Sequence, residues 1–276
     1  MSEGRVSDAD DEFRDRLRKV RHKLGRRDEQ LRRARTELVH LRAFSLDVFP
    51  DHPVPPELAG ALRAIQDEHL TFLKDGQLSS LVSCVLETEA SGREGLLVEA
   101  GTARGGSAIA MALAKAADRA LHVHDVFGMI PPPSEADGED VHLRYERIRA
   151  GEAQGSTPDE PYYGYRSDLL REVEESFARH GVPVDAHHVS LRQGLFQDTL
   201  VGDEPVALAH VDGDWYESTM TCLERLAPRL VPGGRIIVDD YYAWSGCARA
   251  VDEYTPRHPE LRVEMRAKVH LVRIRD

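Results

Sequence analysis

Leu97-Val98-Glu99-Ala100-Gly101-Thr102-Ala103-Arg104-Gly105-Gly106-Ser107 is the stretch on which the fold turns. A short apolar run ends in an acid, a glycine-rich turn follows, and Ser107 opens a helical segment. Glycine lets the backbone turn sharply and lets a ligand approach with no Cβ in the way. Strand, turn and helix N-terminus together present amide N–H groups at the carboxyl end of a sheet, where α/β folds bind ligands. The plainer alternative is a helix-start loop with no ligand.

Working outward, apolar runs at 121–124, 186–190, 206–211 and 235–238 alternate with helical stretches at 107–118, near 167–179 and at 216–229. Short continuous apolar runs of this kind suit a parallel sheet covered on both faces. Two more runs, 261–266 and 269–274, are joined so tightly that they must be antiparallel. The expected fold is α/β, a doubly wound, mostly parallel sheet with an antiparallel C-terminal hairpin. This domain is expected over 93–276. Before it, Pro50, Pro53, Pro55 and Pro56 mark a linker and a helix start, and helical stretches at 57–74 and 77–90 make an accessory segment over 49–92. Residues 127–165 carry Pro131, Pro132, Pro133, an acidic run at 135–140, then Gly151, Gly155 and Pro158. So long an insert between sheet elements reads as a lid or a disordered loop.

Residues 1–48 form an N-terminal helical arm in this reading. Leu17, Leu24, Leu31 and Leu38 recur every seven residues, with Phe13, Val20, Ala34 and Leu41 on the neighbouring row, broken by Arg27. That is a short coiled coil, or one amphipathic helix lying on its own domain. A homo-oligomer is the expectation carried forward. The chain of 276 residues has 36 Lys/Arg against 48 Asp/Glu, a net charge of −12. Residues 1–45 hold 13 basic and 9 acidic residues, a net +4, which leaves −16 for the rest. An acidic body repels phosphate backbones, so nucleic acid is not an expected partner. No apolar run approaches the ~20 residues of a membrane span. No signal-peptide h-region is seen, and Cys84, Cys222 and Cys247 make neither a disulfide framework nor a zinc site, so a cytoplasmic protein with no membrane partner is expected.

The glycine-rich turn is neither a Walker loop, which needs Lys and Ser/Thr after the last glycine, nor the G-x-G-x-x-G dinucleotide fingerprint. An acid at the strand end would repel a pyrophosphate. A ligand with an ammonium group, paired with Glu99 directly or through water, suits it better, and S-adenosylmethionine carries both a sulfonium and an amino-acid end. The second strand also ends in an acid, Asp125, 26 residues after Glu99, where a carboxylate accepts ribose hydroxyls. His122 and His124 read as packing residues.

Asp212 and Asp214 follow the strand at 206–211, and Asp239 and Asp240 follow the next. Neighbouring parallel strands have neighbouring ends, so four carboxylates are expected at one rim. Like charges that close raise one another's pKa unless a cation separates them, and Mg2+ uses a few carboxylates with other oxygen ligands. Asp214 as a helix N-cap is the competing reading for one of the four.

Val98-Glu99-Ala100-Gly101…Gly105-Gly106-Ser107, Gly194-Leu195-Phe196-Gln197-Asp198-Thr199-Leu200, Val211-Asp212-Gly213-Asp214-Trp215-Tyr216-Glu217-Ser218 and Pro232-Gly233-Gly234…Val238-Asp239-Asp240-Tyr241, with Ala250-Val251-Asp252-Glu253-Tyr254 beyond, resemble the macrocin O-methyltransferase family, which includes enzymes for macrolide sugars and for the noviose of novobiocin. The resemblance covers roughly 60–276. It implies a class I methyltransferase (Rossmann-like) fold and methyl transfer from S-adenosylmethionine to a small-molecule hydroxyl, with a sugar the expected acceptor. It further implies that Glu99, Gly101, Thr102, Ala103, Arg104, Gly105 and Ser107 hold the methionine part and Asp125 the ribose. Gln193, Gly194 and Asp198 would lie near the adenine, and Asp212 would touch the donor as well as the metal. Asp212, Asp239 and Asp240 would ligate Mg2+, and Asp214 would be the general base. A phenol acceptor, or an interaction protein built on a degenerate donor-binding domain, are the rivals. Val126-Phe127-Gly128-Met129-Ile130 departs from the family's usual sequence there, which bears on the acceptor and not on the chemistry.

Overall fold

The computed structural model describes residues 53–157 and 160–274, together with Arg16, Lys19 and Lys23, which are helical and exposed. Residues 1–45 and 46–276 divide into two units, and the sheet belongs to the second. The heptad leucines, and with them the coiled-coil expectation, lie outside the described residues.

Five strands run parallel: β1 (Leu96–Ala100), β2 (Leu121–Asp125), β3 (Val189–Gln193), β4 (Val206–Val211) and β5 (Leu230–Val238). β6 (Leu261–Met265) and β7 (Val269–Arg273) add the antiparallel finish, with β7 paired to β5. The order is β3-β2-β1-β4-β5-β7-β6. It reverses between β1 and β4, so the carboxyl ends of those two strands open a crevice.

Successive side chains of a strand point to opposite faces, and the strands use this to build two layers. Leu97, Leu208 and Ile237 pack under α1 (Pro56–Asp67), α2 (Asp75–Ala90), α3 (Gly106–Ala114) and α5 (Leu169–Arg179). Their neighbours Val98, Ala209 and Ile236 pack under α7 (Tyr216–Leu226) and α8 (Ser245–Tyr254). Both faces of β1 and β4 are covered, which is why those runs carry apolar residues at nearly every position.

Some boundaries differ from the sequence reading. The first helix ends at Asp67, and His69 follows in a left-handed conformation. The strand expected at 186–190 starts at Val189, because a 3-10 turn, Val184–His187, and left-handed His188 come first. β5 begins at Leu230, and the register with β4 shifts across Pro232-Gly233-Gly234 before the expected 235–238 run.

The insert at 127–165 contains a helix, α4 (Glu139–Arg149), that its composition hid. Its apolar residues Ile130, Val141, Ile148, Ala153 and Tyr162 form a third cluster around Trp215. Trp215 is almost fully buried, and its Nε1 donates to Pro131 O at 3.0 Å. Removing a buried indole costs about 3–5 kcal/mol through lost contacts and the cavity left. Trp215→Ala is therefore expected to lower the unfolding free energy by that order in a denaturant titration and to expose the insert to limited proteolysis; an unchanged cleavage pattern would show that the insert is held elsewhere.

Candidate active site

The glycine-rich turn leaves β1 at the reversal point. Gly101 and Gly105 have φ of +89° and +91°, and Ala103 is also left-handed at +48°. Gly101 N donates to His124 O at 2.8 Å, and Asp212 N to Ala100 O at 2.9 Å, which holds the turns after β1 and β4 side by side. The approach is so close that a Cβ on Gly101 would collide with the carbonyl oxygen of Asp212.

Beside this crossing lies a cavity of about 290 Å3. One wall is Gly101, Asp125 and the turn Gly194-Leu195-Phe196-Gln197, which leads into the one-turn helix α6 (Phe196–Thr199). Next to Gly101 the wall continues with Asp212, Gly213, Asp214 and Trp215, and the insert contributes Ile130, Pro131, Ser134, Asp137 and Tyr163.

The residues expected at the donor site divide into three groups. Asp125 lines the cavity, and its carboxylate braces the loop: Oδ2 accepts from Thr102 N at 2.8 Å and Ala103 N at 3.3 Å, and Oδ1 from Phe127 N at 2.7 Å. Burial pushes its pKa up against these hydrogen bonds. Thr102 Oγ1 is buried with no partner among the described residues, which leaves a polar atom for a ligand to satisfy. Glu99 lies fully buried beneath the loop, outside the cavity wall, with Oε1 accepting from Ser107 Oγ and Oε2 from His210 Nδ1 at 3.0 Å. Arg104 turns away, to Glu160 of the insert and to the carbonyl oxygens of Glu68 and His69. Gln193 Nε2 donates to Val126 O at 3.3 Å, and Asp198 is exposed on α6 while its neighbours Leu195, Phe196 and Gln197 face the cavity.

At the rim, carboxylate oxygens of Asp212, Asp214 and Asp240 lie within 4.8 Å of one another. Burial pushes all three pKa values up, helped by the charge of Asp240 at Asp212 and Asp214 and by that of Asp239 at Asp240. The expected grouping was Asp212, Asp239 and Asp240. Asp239 is adjacent but engaged elsewhere: Lys268 Nζ donates to its Oδ2 at 2.7 Å, and His210 Nε2 lies 3.4 Å from its Oδ1. Burial alone would raise Asp239, yet Lys268 and His210 outweigh it and hold the pKa at about 2. His210 is the mirror case, with burial outweighed by Glu99 and Asp239 and a pKa of about 10.

Asp214 is not the helix cap. Its φ is +55°, its N donates to Asp240 Oδ2 at 3.1 Å, and α7 starts after Trp215. The first-turn amide of Tyr216 is instead satisfied by Asp137 of the insert, at 2.8 Å. One buried and two half-buried carboxylic groups with raised pKa values form an oxygen-only donor set, which fits a hard divalent cation.

His210 and Lys268 were missed in the sequence. His210 had a signal: it stands two residues before Asp212 in an otherwise apolar strand, on the same face as its cross-strand partner Glu99. Lys268, in the hairpin turn, had none. Tyr163 on the cavity wall was equally hidden, because the insert brings it from elsewhere in the chain, whereas Trp215 directly follows Asp214.

Gly101→Ala is expected to abolish binding of S-adenosylhomocysteine in calorimetry, since neither the left-handed φ nor the contact with Asp212 tolerates a Cβ. Retained affinity would place the ligand away from this crossing.

Residues 67–266 match the family described as Macrocin-O-methyltransferase (TylF). A relative from Streptomyces olivaceus, the 8-demethyl-8-(2,3-dimethoxy-alpha-L-rhamnosyl)-tetracenomycin-C 4'-O-methyltransferase, is 34% identical over 259 residues, 92% of this chain and 88% of its own. The mycinamicin III 3''-O-methyltransferase of Micromonospora griseorubida is 33% identical over 198 residues, 68% of this chain and 71% of its own. Among solved structures, the O-methyltransferase NovP is similar with a TM-score of 0.62 at 25% identity, over 88% of this chain and 100% of that one.

Proposed function

The chain belongs to the macrocin O-methyltransferase family and is an S-adenosylmethionine-dependent methyltransferase, and we propose that it methylates a hydroxyl of a sugar on a glycosylated natural product with the help of Mg2+. The observation that carries the metal reading is the meeting of Asp212, Asp214 and Asp240, two of which, Asp212 and Asp214, line the same cavity as Gly101 of the donor loop. The acceptor reading is supported by the S. olivaceus relative, whose name specifies a rhamnosyl 4'-hydroxyl.

The donor brings a methyl group on a sulfonium, and the cation brings a Lewis-acidic charge that makes an aliphatic hydroxyl a better acid and nucleophile. The chain supplies the rest. The Gly101–Ser107 loop receives the methionine part, with Glu99 beneath it fixing Ser107, and Asp125 accepts from the ribose hydroxyls. Gly194 and its neighbours, with Gln193 and Asp198 behind them, flank the adenine. Asp212 and Asp240 would hold the cation beside Asp239, whose carboxylate stays with Lys268 and His210, and Asp214 lies within reach of the same oxygens. Asp214 takes the hydroxyl proton on a carboxylate oxygen, and its raised pKa suits that work better than an ordinary carboxylate would. Trp215, Tyr163 and the insert wall off water, so that hydroxyl and methyl group meet in line within a dry site.

Mass spectrometry of glycosylated acceptors incubated with donor and Mg2+ tests the proposal, and a gain of one CH2 on the sugar is expected. The same gain confined to phenols would overturn the acceptor class. Chelation of the metal is expected to stop turnover, and activity that persists with chelator would remove Mg2+ from the scheme. Asp214→Asn should lower kcat by about 10²-fold or more, the usual scale for a lost proton acceptor, with Mg2+ affinity little changed; loss of both together would make Asp214 a ligand.

A further inference from the structure

Two carboxylates meet the buried His210 ring from opposite sides. Glu99 lies across from it on the neighbouring strand, as its register partner in β1. Asp239 lies just past β5, two residues beyond Ile237, which is the register partner of His210 on its other side. Residues two apart on a strand share a face, so Glu99, His210 and Asp239 stand in one line across three strands. The contacts follow that line: Ser107 Oγ donates to Glu99 Oε1, His210 Nδ1 to Glu99 Oε2 at 3.0 Å, and His210 Nε2 approaches Asp239 Oδ1 at 3.4 Å. Lys268 Nζ closes the far end on Asp239 Oδ2 at 2.7 Å. One end of the line is the first turn of the helix behind the donor loop; the other is the carboxylate rim. His210 is 1% exposed and does not line the cavity, so it touches neither reactant.

We propose that His210 is a positioning residue that ties the donor loop to the carboxylate rim, so that donor and cation bind cooperatively. The inference rests on the reading of the loop as donor site and of the rim as Mg2+ site. The two ring nitrogens serve different ends of the bridge. Nδ1 fixes Glu99, and thereby Ser107 at the start of α3, while Nε2 fixes the free oxygen of Asp239 beside Asp240 and Asp212. A ligand that settles one end bears on the other through the ring, because His210 is enclosed and its two neighbours are themselves anchored. Coupling of this kind is reciprocal: the factor by which Mg2+ changes donor affinity equals the factor by which donor changes Mg2+ affinity.

Two variants separate the bridge from mere packing. An Asn amide reaches the position of Nδ1 and a Gln amide that of Nε2, so His210→Asn keeps the Glu99 contact and His210→Gln keeps the Asp239 contact. Each retains half of the bridge. The probes are S-adenosylhomocysteine and Mg2+, each titrated calorimetrically into the full-length chain with and without the other. In the unaltered protein, saturating Mg2+ is expected to tighten binding of the product by about fivefold or more, the lower end of ordinary coupling between two sites. In both variants that factor should fall towards one while each ligand still binds alone. Circular dichroism melts identify folded variants, and His210→Leu, which removes both contacts, should show no coupling either. A folded half-bridge variant that keeps the full factor overturns the inference. So does an unaltered protein that binds both ligands independently, an outcome that leaves the methyl transfer standing. An unaltered protein that binds no Mg2+ overturns the cation reading and this inference with it.

Discussion

Parallel neighbouring strands bring their carboxyl ends together, and in this chain two of those ends carry paired aspartates. With oxygens of three carboxyls within 4.8 Å and an effective dielectric near 20, each pair of full charges would repel by about 3–4 kcal/mol. A fold stable by only about 5–15 kcal/mol does not carry such an arrangement without compensation. The chain compensates one aspartate internally, through Lys268 and His210 on Asp239. The other three have no such partner within the group, and their pKa values are raised, chiefly by burial. One of the four aspartates is thus neutralised by its own neighbours, and the oxygens of the other three form a donor set that fits a hard divalent cation.

The sheet and the rim were legible in the sequence because both follow from local rules. Unbroken apolar runs such as Val206–Val211 mean strands covered on both faces, and acids placed just after such runs must lie at the carboxyl edge. The turn at Gly101 was legible for the same reason, since a left-handed backbone and a carbonyl in Cβ contact leave little choice of residue. What stayed hidden depended on partners far apart in the chain. Lys268 reaches Asp239 from a hairpin turn whose sequence carries no metal or catalytic signal. Arg104 sits in the donor motif yet spends its charge on Glu160, because the insert brings an acid to that side of the loop. Asp198 matches a motif position, but a single helical turn aims its neighbours at the cavity and leaves it exposed.

The insert shows how composition misleads. Three prolines and an acidic run look like a loop, but two of its acids are engaged at helix starts. Asp137 accepts from Tyr216 N at the start of α7 and from Ser134 N, and Asp140 accepts from Ser245 N at the start of α8. Helix N-termini carry unsatisfied N–H groups and a partial positive charge, so carboxylates arriving from outside the helix are favourable there. Two of these acids complement two helix starts, and one of them, Asp137, also lines the cavity.

That complement also explains the backbone of Asp214. An Asp just before a helix would ordinarily turn its side chain onto the first free amides. Here the amide of Tyr216 is already satisfied by Asp137, so Asp214 is released from capping. Its φ of +55° is a conformation that Asp tolerates better than most residues but still at a cost of order 1 kcal/mol or more. The hydrogen bond from Asp214 N to Asp240 Oδ2 shows what holds it there. The turn after β4 is wound against its local preference so that a carboxylate stays at the rim, and the insert that lines the cavity is the same element that makes this winding possible. Asp137 thus both lines the cavity and takes the helix-start amide that Asp214 leaves free.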